Sequence, residues 1–152
     1  MLALVVLSTL GTSLIGQGRP IRVNGVRSVN FGSVFPGIPK SVLRTDALNS
    51  GQFDIRAAAG SQLQLTFALP AQMTAAGGAA MPLSFGGADA GFSTTQSVTS
   101  QVGFDPRVSF VASMGSPPGR ASVFLGGTVT PLVSQPAGSY TATITLTVVY
   151  LP

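Results

Sequence analysis

Residues 136–152 read PAGSYTATITLTVVYLP. Tyr140, Ala142, Ile144, Leu146, Val148 and Tyr150 share one parity, and Thr141, Thr143, Thr145 and Thr147 share the other. Side chains alternate across a β-strand, so this pattern predicts a strand from Tyr140 to Leu151. Its first row is built for a core; its threonine row suits a wet face with good β-propensity. The sequence closes on this strand, and an edge of such length leaves N–H and C=O groups that seek a second chain.

Working outward, shorter alternating runs recur between turn signals. Residues 62–70, QLQLTFALP, place Leu63, Leu65, Phe67 and Leu69 on one face and Gln64, Thr66 and Ala68 on the other. Residues 51–59 put Phe53 and Ile55 together, and residues 81–85 do the same for Met81, Leu83 and Phe85. Residues 21–31, 107–113 and 121–130 read as further extended segments, whereas 73–81, MTAAGGAAM, is interrupted by paired glycines and reads as a loop. No helical periodicity of useful length is present. Strands punctuated this often predict an all-β, immunoglobulin-like Greek-key sandwich whose two sheets bury their inward rows against each other.

Composition agrees. Hydrophobic residues make up 45% of the 152 residues and charged ones only 8%, the reverse of a disordered chain. The formal charge of +4 comes from eight Lys and Arg against four Asp, with no Glu. The cations (Arg19, Arg22, Arg27, Lys40, Arg44, Arg56, Arg107, Arg120) form no run, so no nucleic-acid footprint is expected. With no Cys, neither a disulfide nor a thiolate metal site can form.

The chemistry of catalysis is correspondingly thin. Absence of His and Cys removes serine–histidine and cysteine–histidine nucleophiles and zinc sites of ordinary ligand type. Asp46, Asp54, Asp89 and Asp105 are far apart in sequence and read as turn-capping residues rather than a carboxylate pair or a calcium loop. GGADAG is not a phosphate loop, because no GK[ST] follows. The expectation is a non-enzymatic protein without a cofactor or metal.

Residues 1–18, MLALVVLSTLGTSLIGQG, carry no charge. They read as a signal-peptide-like segment cleaved before Arg19, or as a retained hydrophobic strand. Residues 19–29 then form an N-terminal extension and residues 30–152 the sandwich domain.

The ending resembles that of chaperone–usher pilus subunits and spore coat U-like bacterial surface proteins, in which a Gly and a near-terminal Tyr flank the last strand at the spacing of Gly138 and Tyr150. NFGSVFPG (residues 30–37) and FDIRAAAGSQLQLTFALP (residues 53–70) also resemble segments of such proteins. The resemblance implies a sandwich that lacks its final strand and is completed by a donor strand from a neighbouring subunit. The acceptor edge would be Gly138, Tyr140, Ile144, Leu146, Val148 and Tyr150. The donor would be Ile21, Val23 and Gly25, with Arg27 standing where an apolar residue is expected, or Leu2, Leu4, Val6 and Leu10 if residues 1–18 are retained. It further implies an extracellular filament made of copies of this chain, with a periplasmic chaperone and an outer-membrane usher as assembly partners. The alternative is a self-contained adhesion, spore-coat or matrix module, in which Gly138 is a turn glycine and Tyr150 a core or corner tyrosine.

Overall fold

A computed structural model describes residues 18–152 of the protein. Leu2, Leu4, Val6 and Leu10 lie outside the described residues. The described chain has no helix and thirteen strands, every ladder antiparallel. In order they are β1 (Arg22–Arg27), β2 (Lys40–Val42), β3 (Gly51–Arg56), β4 (Gln62–Ala68), β5 (Gln72–Ala75), β6 (Ala80–Ser84) and β7 (Ala90–Ser93). There follow β8 (Val102–Phe104), β9 (Phe110–Ser113), β10 (Arg120–Leu125), β11 (Gly127–Val129), β12 (Tyr140–Thr141) and β13 (Thr145–Tyr150).

Three sheets result, ordered β1-β3-β10-β7-β8, β12-β5-β6-β11-β2 and β13-β4-β9. The first packs against the third over the main core, where Ile55, Leu63, Leu65, Ala121, Val123 and Leu125 are almost wholly buried. Five phenylalanines run through it in successive contact. Phe53 meets Phe67 edge-on, Phe67 stacks with Phe104, Phe104 stacks with Phe110 at a centroid distance of 4.1 Å, and Phe110 meets Phe92. Such pairs contribute beyond the area they bury. A smaller core of Phe31, Val42, Met81, Leu83 and Val129 lines the second sheet, and Val29 and Phe85 bridge the two cores. The protein is thus all-β and sandwich-like.

The expected inward rows are found on β3, β4 and β6, where Ile55, Leu63, Leu65, Met81 and Leu83 are buried. The segment 73–81 is not a loop. It is a hairpin of β5 and β6, whose ends are tied by the Ala75 amide donating to Ala79 O at 2.9 Å. Its paired glycines are the turn itself, Gly78 taking φ 85°. Composition without periodicity concealed two short strands there. The start of 107–113 is likewise not strand: Asp105 accepts from the Arg107 amide and holds that stretch in a turn.

The last strand keeps its alternation, with Leu146 buried, Ile144, Val148 and Tyr150 half-buried, and Thr141, Thr143, Thr145 and Thr147 exposed. It is not continuous, however. Tyr140–Thr141 pair with β5 and Thr145–Tyr150 pair with β4, leaving Ala142–Ile144 unpaired. Tyr140 to Thr145 spans five positions, whereas the facing Ala68 to Ala75 spans seven. Pro70 lies in that longer stretch and has no N–H for a ladder, so the pairing breaks there and resumes in another sheet.

Candidate functional site

β1 and β13 are edge strands of two different sheets. β1 pairs only with β3, and β13 only with β4; no ladder joins β1 to β13 among the described residues. They nevertheless flank one seam. At one end, the Tyr150 hydroxyl donates to the carbonyl of Arg19, just ahead of β1. At the other, Gly25–Ser28 and the unpaired Ala142 and Ile144 line a common cleft of about 300 Å³, floored by Phe53 and Leu125. The two strands therefore run antiparallel across an apolar floor, each presenting an unpaired backbone edge.

Individual residues explain why the seam stays open. Ile21, Val23, Ile144, Val148 and Tyr150 all pack on the main core yet remain half-buried, so each keeps one flank uncovered. At Gly25 a Cβ would meet nothing within 4 Å, so the strand opens directly onto the cleft. The β1–β3 register slips between Gly25 and Arg27, and Val26 bulges outward, 55% exposed. A bulge bends an edge strand and re-aims its side chains; here the pairing resumes with Arg27 opposite Gln52. It also accounts for Arg27 in an apolar series: its Nη2 donates to Ser50 Oγ at 2.9 Å and its Nε to Ser50 O, fastening the end of β1 to the residue before β3.

Ser50 belongs to a turn organised by Asp46. The Asp46 carboxyl is held below the usual carboxylate range, first by the Asn49 side-chain amide, then by the Leu48 and Asn49 backbone amides, with Arg27 adding an attractive charge. Asp105 is lowered to about 2, chiefly by the Arg107 guanidinium. Asp89 accepts from the Gly86 amide and Asp54 from Ser122 Oγ and Gln52 Nε2, so each of the four carboxylates is engaged in local structure.

Of the sequence-predicted site residues, the structure brings Ile21, Val23, Gly25, Ile144, Val148 and Tyr150 to this seam. Leu146 is in the core, 8% exposed. Gly138 and Tyr140 are elsewhere, on the wall of a second cleft of about 540 Å³ beside Asn30–Val34. There the Tyr140 hydroxyl donates to Pro136 O and accepts from Gln135 Nε2, which fixes the turn into β12. Ile21, Val23 and Gly25 are engaged within their own chain, Val23 opposite Ile55 and Gly25 opposite Phe53. Residues 19–29 are thus integrated with the sandwich. Ala142, Val26 and Phe53 also line the seam's cleft, although the sequence marks Ala142 and Phe53 only as members of inward rows and does not mark Val26. The break at Ala142–Ile144 is signalled only by Pro70 on the facing segment.

Comparison with known proteins places residues 21–150 in the domain of unknown function DUF4402. The chain belongs to that family. No curated protein and no solved structure matches it. The family match begins at Ile21 and stops at Tyr150, so it contains β1, β13 and the cleft between them.

Proposed function

We propose that this DUF4402 chain is a structural subunit of an extracellular filament, and that the β1–β13 seam accepts an extended segment of a neighbouring copy. The supporting observation is the pair of unpaired strand edges flanking an apolar cleft. An inserted strand would hydrogen-bond its backbone to β1 and β13, while every second side chain would enter the floor between Phe53 and Ile144. The sandwich is then an immunoglobulin-like Greek key short of one strand. Because Ile21, Val23 and Gly25 already serve their own sheet, the donor is the apolar stretch ahead of β1, with Leu2, Leu4, Val6 and Leu10 on alternating or near-alternating positions. Burying about five apolar side chains at roughly 1.5–3 kcal/mol each gives a gross gain on the order of 10 kcal/mol. Ordering the donor reduces the net figure, yet dissociation stays slow. The resemblance to pilus subunits adds a periplasmic chaperone and an outer-membrane usher as assembly partners.

Gly25→Phe tests the acceptor by filling the cleft, since a Cβ at that position meets nothing within 4 Å. The variant is expected to fold with an unchanged melting temperature and to stay monomeric where the parent chain forms filaments visible by electron microscopy. A parent chain that is a stable monomer, or a Gly25→Phe chain that still assembles, overturns the proposal. Deleting residues 1–17 should also leave monomers; filaments that persist would remove the assigned donor.

A further inference from the structure

The arginines are dispersed in sequence, but the strand register gathers three of them. Arg22, Arg56 and Arg120 occupy directly paired positions on adjacent strands β1, β3 and β10. Their neighbours Val23, Ile55 and Ala121 face the core, so the three guanidinium groups project from the outer face of the sheet, and all three residues are exposed. At the usual ladder spacing the row is about 10 Å long, running across three strands. Arg19 adds a fourth cation at the same end of the sheet, donating through Nη1 to Pro118 O at 2.8 Å.

Among the described residues, none of the three arginines makes an ion pair. The sequence has four carboxylate side chains and all are described. Asp46 caps its own turn, Asp89 binds the Gly86 amide, and Asp105 makes the one ion pair found among the described residues, with Arg107. Asp54 is the nearest along the ladder, two rungs from Arg56 on the same face; its Oδ1 accepts from Ser122 Oγ at 2.6 Å and from Gln52 Nε2 at 3.0 Å, so it keeps its charge and offsets the row in part without forming an ion pair. Like charges placed directly opposite one another destabilise a ladder. Three paired cations, offset only in part by one carboxylate two rungs away, leave a surplus of positive charge suited to an external anion.

The shape of the surface limits what that anion is. No member of the row lines either cleft; the three stand at the exposed end of the outer sheet face, beyond Ser122 and Phe124, which follow Arg120 on that face of β10 and are buried. A line of guanidinium forks fits successive oxyanion groups on an extended chain. Stacking platforms for nucleic-acid bases are not part of the strip: on β1, β3 and β10 the aromatic residues are Phe53, which packs on the core, and Phe124, which is buried. We propose that Arg22, Arg56 and Arg120 form a binding strip for an acidic polysaccharide bearing sulfate or phosphate groups. The strip lies on the outer sheet face and does not depend on filament assembly.

The test is binding of the full chain to heparin, with a duplex DNA of matched charge as comparison. The parent chain is expected to be retained on immobilised heparin and released by salt. Arg22→Ala/Arg56→Ala/Arg120→Ala should bind a heparin oligosaccharide about tenfold more weakly or worse, with a melting temperature no lower than the parent's, because a repulsive row has been removed. Arg107→Ala, which lowers the net charge away from the strip, should bind as the parent does. Equal retention of the triple variant, or an equal loss in Arg107→Ala, overturns the strip. Duplex DNA bound as tightly as heparin, with the same loss in the triple variant, overturns the polysaccharide. If the triple variant melts early, Arg56→Gln alone decides the matter by the same comparison.

Discussion

The hydroxyl of Tyr150 accepts the backbone amide of Ala58 at 2.8 Å while donating to the carbonyl of Arg19. One side chain at the end of β13 thereby ties the loop after β3 to the chain entering β1, and sets the distance between the two edges of the seam. Tyr150→Phe keeps the ring and its packing but leaves the Ala58 amide without its partner. The expected cost is about 1–2 kcal/mol in urea-induced unfolding. Amide exchange at Ala58 should quicken as well, and no change at Ala58 would mean that the hydroxyl is not what holds that loop.

The two faces of β13 should respond to substitution very differently. Leu146→Ala removes a side chain that is 8% exposed within the main core and should cost about 2–4 kcal/mol. Thr147→Ala, one residue along and facing solvent, should stay within about 0.5 kcal/mol of the parent. Val148→Asp places a charge in the half-buried row and should abolish folding or assembly. Comparable losses at positions 146 and 147 would contradict the alternation.

Much of this fold was legible because burial imposes a period of two. Leu63 and Leu65, Met81 and Leu83, and the row ending in Tyr150 declared their inward faces by spacing alone. What was not legible depends on partners distant in the chain. The interruption at Ala142–Ile144 arises from Pro70 in the facing segment between β4 and β5, and β7 is so short and so buried that it carries no alternation. The alternation of the last strand marks only one wall of the seam; the other is the chain's own β1, whose pairing with β3 no local pattern announces. The charge row was invisible for the same reason, since Arg22, Arg56 and Arg120 meet only through register.

The pH dependence of stability should be one-sided. The sequence has no His, Glu or Cys, so no side chain of ordinary pKa titrates between about pH 5 and 8, and stability there should be nearly flat. Asp46 and Asp105 have folded pKa values below the ordinary 3.8. Their contribution is complete above the unfolded value and is lost as pH falls through the depressed folded values, for Asp105 about 2. Urea midpoints should therefore hold steady down to about pH 5 and fall below it. Asp46→Asn should lower the neutral midpoint and flatten the acid slope. A variant with the parent's acid slope would show that the Asp46 cap carries no linkage.

Two glycines should separate close packing from mere flexibility. Gly126 is the single residue between β10 and β11, where the chain leaves one sheet for another. A Cβ there would meet Val42 O at 2.2 Å and Arg44 N at 2.8 Å. Both are main-chain atoms of the segment that β11 pairs with, so neither can rotate away. Gly126→Ala must push β2 and β11 apart, and the expected loss is about 3 kcal/mol or more, at the severe end for a single methyl group. Gly77, in the β5–β6 turn, has open space around it and no left-handed φ. Gly77→Ala should be neutral or stabilise by about 0.4–1 kcal/mol, because it removes freedom only from the unfolded chain. Thermal unfolding of the two variants side by side measures the contrast, and a Gly126→Ala protein as stable as Gly77→Ala would mean that the crossing from β10 to β11 is looser than its backbone contacts require.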